Sequence, residues 1–105
     1  NSSLQKELDD ILTFANGTNF NKKKINSYKG KISKYKNLDF SKFLDYQGKS
    51  YRAEEAFEKL KKRLDAMLEI SNYKDGIGKG TFKKLNKFPL SVSQNDYINK
   101  LKNKK

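Results

Sequence analysis

Eleven consecutive residues, Asp75-Gly76-Ile77-Gly78-Lys79-Gly80-Thr81-Phe82-Lys83-Lys84-Leu85, carry the densest grouping of phosphate-capable chemistry in the chain. Glycines at this spacing let the backbone turn tightly and come close to a phosphate. The N–H groups that open a following helix then point at the anion. Lys79, Lys83 and Lys84 place charge beside that turn, and Lys87 continues the basic run. Glu54, Glu55 and Glu58 are the other grouping with chemical capacity, as a metal or acid/base set. Their spacing is explained by i,i+4 pairing of Glu55 with Lys59 and Glu58 with Lys62 on an exposed helix face, so no chemistry is assigned to them. The chain has no Cys and no His, which excludes disulfides, the usual zinc sites, thiol nucleophiles and imidazole bases. No cofactor and no metal is expected.

The elements that must position these residues read as helices, and the expected fold class is all-α: one small bundle of about four to six helices. A length of 105 residues allows a single domain over 1–105 with a modest core, to which seven Phe and six Tyr contribute most of the large apolar surface. Leu4, Leu8, Ile11, Leu12 and Ala15 recur at helical spacing after Ser2-Ser3, and Asn16-Gly17 supplies a stop, giving a first helix over about 3–16. Asn21 caps a lysine-rich helix over about 22–37, with Ile25, Tyr28, Ile32 and Tyr35 in one stripe and Gly30 as its weak point. Asp39 or Ser41 opens a short turn carrying Phe40, Phe43 and Leu44 that Gly48 ends. Ser50 then caps a long helix over about 50–70 with Ala53, Phe57, Leu60, Leu64 and Leu68 on one face. A glycine turn and short helix fill 72–88, stopped by Pro89. Ser93 and Asp96 form a capping-box-like start to a last helix over about 94–103.

Charge decides the partner class. Twenty-four Lys+Arg against twelve Asp+Glu leave a net charge of +12, and the surplus lies in two regions. Residues 22–36 hold seven lysines and no acid, and the stretch from Lys74 onward holds the second excess, with only Asp75 and Asp96 opposing it. The preponderance of Lys over Arg suits diffuse attraction to phosphate or sulfate better than bidentate reading of bases. No apolar run approaches the roughly 18 residues of a membrane span, so none is expected.

Gly78-Lys79-Gly80-Thr81 looks like the end of a nucleotide-binding phosphate loop, but the earlier glycine would fall at Tyr73 and the turn follows a helix, not a strand. The run Gly76-Ile77-Gly78-Lys79-Gly80-Thr81 before a lysine-rich helix resembles instead the helix-hairpin-helix motif, which grips DNA backbones without reading sequence. Tyr51-Arg52-Ala53 ahead of it, and the first-helix pattern from Leu4 to Ala15, are similar to the amino-terminal domain of family X DNA polymerases. Lys22 to Leu38 would be an insertion, and the resemblance touches roughly two-thirds of the chain.

That resemblance implies a grip on the 5′ phosphate side of a DNA gap. It also implies that Lys84, by its spacing from Gly76, would form a Schiff base with an abasic sugar, with Tyr51 beside it. Repulsion from Lys79, Lys83 and Lys87 would lower the pKa of such a nucleophile. DNA contacts would come from Gly76, Gly78, Lys79, Gly80, Lys83, Lys87, Lys49 and Arg52. Asn72, Gly80 and Asp96 stand where the family often has phosphate-gripping lysines. Lys74 replaces an apolar residue before the hairpin, and Phe82 replaces a small alanine that lets the hairpin helices pack closely.

The expectation is therefore a DNA-binding module, acting on the phosphate backbone without sequence preference, possible as one domain of a repair or replication protein and located inside the cell. Abasic-site lyase activity is the lesser option. The competing expectation, from the chain's start at Asn1 without Met, the absent Cys and the Lys/Asn bias, is a secreted or surface helical bundle that binds host glycosaminoglycan or a host protein. A third reading makes the glycine stretch a plain interhelical turn with solvated lysines.

Overall fold

A computed structural model describes residues 2–74 and 89–103, and within them the chain is all-α. Four α-helices occur among the described residues, α1 (Ser2–Asn16), α2 (Lys22–Lys31), α3 (Ala53–Lys74) and α4 (Val92–Asn103), with a 3₁₀ turn at Ile32–Tyr35 following α2. The glycine turn and the short helix expected over 75–88 lie outside the described residues.

α1 forms where its apolar period dictates. Leu8, Ile11, Leu12 and Ala15 are buried along one stripe, and the helix stops at Asn16 before Gly17, whose N–H reaches back to the Phe14 carbonyl at 3.2 Å. α2 begins as its sequence asks: the Asn21 side chain accepts from the Lys24 N–H at 3.1 Å. The single helix expected to about residue 37 is instead divided. Regular α-helix ends at Lys31, one residue after Gly30, and the chain tightens into the 3₁₀ turn. The stripe survives the change of pitch, with Ile25, Ile32 and Tyr35 buried and Tyr28 packed against Phe14 at 5.1 Å, edge to face.

Residues 37–52 fold as an irregular strap that follows α1, bound by Gln5 near its start and by Asn16 at its end. Gln5 on α1 clasps the backbone of Asp39 twice, accepting its N–H at 2.9 Å and donating to its carbonyl at 2.8 Å. Phe40 and Phe43 are thereby driven into the core. The strap turns at Asp45–Gly48, closed by one antiparallel bridge between Leu44 and Ser50. Asp45 fixes this turn from both sides: its carboxylate accepts from the N–H groups of Gln47 (2.8 Å) and Lys49 (3.0 Å), and its N–H donates to the Lys49 carbonyl (2.8 Å). Gly48 takes φ +80°, which a side chain would resist.

The start of α3 differs from expectation. Ser50 does not cap it, because its hydroxyl donates to the Ser41 carbonyl and its backbone belongs to the bridge. The Arg52 carbonyl accepts the first helical N–H groups, from Glu55 and Ala56, and the helix runs past Ile70 to Lys74. Its buried face is also rotated from the expected one. Ala56, Leu60, Arg63, Leu64, Met67 and Ile70 are buried, whereas Ala53 is exposed and Phe57 and Leu68 are half-buried. α4 starts two residues early for a comparable reason. The capping box is Ser91 with Gln94: the Gln94 N–H donates to Ser91 Oγ at 3.3 Å and the Ser91 N–H to Gln94 Oε1 at 3.1 Å. Ser93 and Asp96 are both exposed and take no part in it.

The two glycines of opposite character give opposite mutational signs. Gly30 has open space where a Cβ would stand, so Gly30→Ala should stabilise the protein by about 0.5–1 kcal/mol. Gly48→Ala should destabilise it by about 1–2 kcal/mol because of its φ. Urea denaturation of the two variants beside the parent checks both signs.

Candidate polyanion-binding surface

The described surface is organised around a buried cation. Arg63 is 0% exposed on the core face of α3, and each of its five N–H donors finds a neutral oxygen. Nε donates to the Pro89 carbonyl; Nη1 to Asn16 Oδ1 at 2.9 Å and, more weakly, to the Ala15 carbonyl at 3.4 Å; Nη2 to the Leu44 carbonyl at 2.7 Å and Tyr51 Oη at 3.2 Å. The guanidinium lies 4.2 Å from the Phe43 ring centroid, and Phe43 stacks on Tyr51 at 4.8 Å. Burial pulls the Arg63 pKa down to about 10, opposed by Tyr51 and Asp45, so the group stays charged at neutral pH.

The carbonyls that α1 leaves unpaired at its end are covered from the same side. Ala15 and Gly17 accept from Gln94 Nε2 at 2.6 and 2.7 Å, and Asn16 accepts from Ser91 Oγ at 2.8 Å. A positive guanidinium at that helix end also suits its dipole. One cluster thus joins the end of α1, the strap, α3 and the start of α4. The residues flanking 75–88 on their C-terminal side, Pro89 to Gln94, are held by it.

Outside this frame the lysines divide into engaged and unengaged groups. Lys29 pairs with Asp65 at 2.6 Å, bridging α2 to α3, and Lys34 approaches Glu7 at 3.8 Å. Lys22, Lys23, Lys24, Lys31 and Lys36 are exposed and make no ion pair with a described residue. Many of the described acids are committed elsewhere. Glu7 accepts from the buried Tyr35 hydroxyl at 2.7 Å, and burial, with Glu7 second, pushes the Tyr35 pKa up to about 12. Asp9 accepts from Gln5 and Lys42, and Asp45 holds its turn. Glu58 pairs with Lys61 at 2.9 Å, one residue short of the Lys62 expected from i,i+4 spacing, and no Glu55–Lys59 pair forms.

Of the residues singled out by sequence, Lys84, Gly76, Gly78, Lys79, Gly80, Lys83 and Lys87 lie outside the described residues. Lys49 and Arg52 are exposed near the strap turn; Arg52 reaches Glu54 at 3.3 Å. Tyr51 is half-buried, with its ring on Phe43 and its hydroxyl accepting from Arg63. Tyr46, 60% exposed, stands at the tip of the turn next to Lys49. Asn72 on α3 keeps a buried side-chain oxygen without a hydrogen-bond partner. Sequence reasoning missed Arg63 altogether. The available signal was a charge three residues after Leu60 and four before Met67, in the middle of an apolar stripe. Among the described residues no group of three or more His, Cys, Asp or Glu could hold a metal ion, and no helix is long and apolar enough to cross a membrane. No family model, curated protein or solved structure matches the chain.

Arg63→Met keeps much of the side-chain bulk but leaves the Leu44 and Pro89 carbonyls without this donor. A loss of at least about 3 kcal/mol in unfolding free energy is expected. Asp45 provides a pH signature. Hydrogen bonds from the turn, Lys49 first, hold its carboxyl below the usual range. The folded pKa is therefore the lower one, and the stability it contributes is present above about pH 4 and lost as pH falls through the folded value. Asp45→Asn should flatten that acid limb in urea midpoints measured from about pH 6 to pH 2.

Proposed function

We propose that this chain is a DNA-binding module that holds the phosphate backbone with lysine side chains and does not read base sequence. The observation that carries the reading is the unengaged lysine set on α2 and its 3₁₀ extension. Lys22, Lys23 and Lys24 occupy the first turn of α2, where the helix dipole opposes positive charge and no acid offsets it. Folding gains nothing from that placement, whereas an anionic partner does. The stripe of Ile25, Ile32 and Tyr35 holds the helix on the core, so its lysines project from a fixed support.

The second basic region extends the same chemistry. Residues 76–87 combine the glycine run with Lys79, Lys83, Lys84 and Lys87, and the reading assigns them a backbone grip of the hairpin type. Lys49 and Arg52 add charge on the strap. Lysine as the dominant cation fits point-charge attraction to phosphates, which is independent of sequence. A role in DNA repair or replication, and Schiff-base chemistry at Lys84 with Tyr51 beside it, belong to this reading as its most specific form.

Fluorescence anisotropy of a labelled duplex over a range of salt tests it. Affinity should fall steeply with salt, with a log–log slope near −0.9 for each phosphate neutralised. Replacing Lys22, Lys23 and Lys24 together with Gln should reduce the magnitude of that slope by about 2–3. Lys79, Lys83 and Lys84 changed to Gln report separately on the second region. Salt-independent binding, or none, refutes the proposal, and heparin bound more tightly than DNA at equal salt favours the glycosaminoglycan alternative.

A further inference from the structure

A groove of about 290 Å³ runs between the α2–3₁₀ segment and α3, lined by Lys29, Ile32, Ser33, Phe57, Lys61 and Asp65. Its floor is apolar, made by Ile32 and the half-buried ring of Phe57, which is supported from behind by Phe40 in an edge-to-face contact at 6.3 Å. Its walls are cationic. Lys29 spans it to Asp65, and the Lys61 ammonium stands 5.3 Å from the centroid of the Phe57 ring. Glu58, beside Lys61 on α3, has its carboxyl held below the usual range first by its bond from Lys61 and then by the charges of Lys61, Lys62 and Lys36. Lys29 and Lys61 outnumber Asp65 in the lining, so the groove is net positive.

We infer that this groove seats one unpaired base of a nucleic-acid strand, stacked on Phe57 in the place that the Lys61 ammonium holds here, while the neighbouring phosphates lie on Lys29 and Lys61. The inference rests on the nucleic-acid reading above and narrows it to DNA with a single-stranded stretch. Three features select this occupant. The volume lies just under the roughly 300 Å³ at which pockets for drug-sized ligands begin, which suits one planar ring system. An aromatic floor offers stacking to any base through its π-face. The rim charge complements a phosphodiester on either side of that base, which an uncharged aromatic ligand lacks. A paired base in a duplex has both faces covered and cannot enter.

The test uses the whole chain and an oligonucleotide carrying 2-aminopurine, whose fluorescence is quenched on stacking, against a duplex of equal length. Ser33 is exposed and lines the groove, so Ser33→Phe fills the space without touching the core. The parent should quench the probe, and Ser33→Phe should abolish the quench and weaken single-strand binding by about tenfold while duplex binding changes less than about twofold. Phe57→Leu, which keeps an apolar floor but removes the ring, should also lose the quench, with circular dichroism reporting its helicity. An unchanged quench in Ser33→Phe overturns the groove assignment, as does a parent that binds duplex and heparin but never quenches the probe. A parent that binds no nucleic acid at all overturns the DNA reading beneath it, which separates the two failures.

Discussion

Placing a guanidinium in the middle of a small helical core would be prohibitive unless every donor were answered, and the answers are backbone and side-chain oxygens drawn from distant parts of the chain. Ala15, Leu44 and Pro89 supply carbonyls, Asn16 an amide oxygen and Tyr51 a hydroxyl. None is close to Arg63 in sequence, so the hydrogen bonds form only when α1, the strap and the start of α4 are assembled around α3. The requirement is reciprocal. The strap has little regular hydrogen bonding of its own, and the end of α1 leaves carbonyls that need donors. Arg63, Ser91 and Gln94 satisfy them together.

This arrangement leaves α2 in a different situation from the other helices. It takes no part in the Arg63 cluster and is held by an apolar stripe, by the Lys29–Asp65 pair and by Tyr35 hydrogen-bonded to Glu7. An element attached by one stripe can carry charge on all its remaining faces, and α2 does so. Glu7, the α1 acid that meets this segment, is committed to the Tyr35 hydroxyl and to Lys34. Where α2 and its 3₁₀ continuation meet α3, a groove lies between them. Lysines without an ion pair and a recess of about 290 Å³ are thus features of the same segment.

Legibility in the sequence follows the range of the interactions involved. α1, the Asn21 cap and the Ile25/Tyr28/Ile32/Tyr35 stripe were readable because each is decided by neighbours within one or two turns. The face of α3 was read one step off, since Phe57 and Leu68 are as apolar as Leu60 and Leu64 and only the placement of Arg63 distinguishes the true centre. Ser50 and Ser93 are sound caps by local rule. Ser50 lost that role to the strap bridge and Ser93 to Ser91, whose hydroxyl is oriented by Asn16 from the far end of the chain. The lysine regions were plain from composition, but not which lysines would be paired.

By itself the sequence determined the class of the fold, the extent of α1, the start of α2 and the sign and clustering of the charge, because periodicity, caps and net charge are local or additive properties. Only the tertiary structure decided that Arg63 is the centre of the core, that Tyr51 is bound to it, that five lysines of the α2 region stay unengaged and that a groove opens beside them. Those outcomes depend on which oxygens, carboxylates and apolar side chains arrive from elements far apart in the chain.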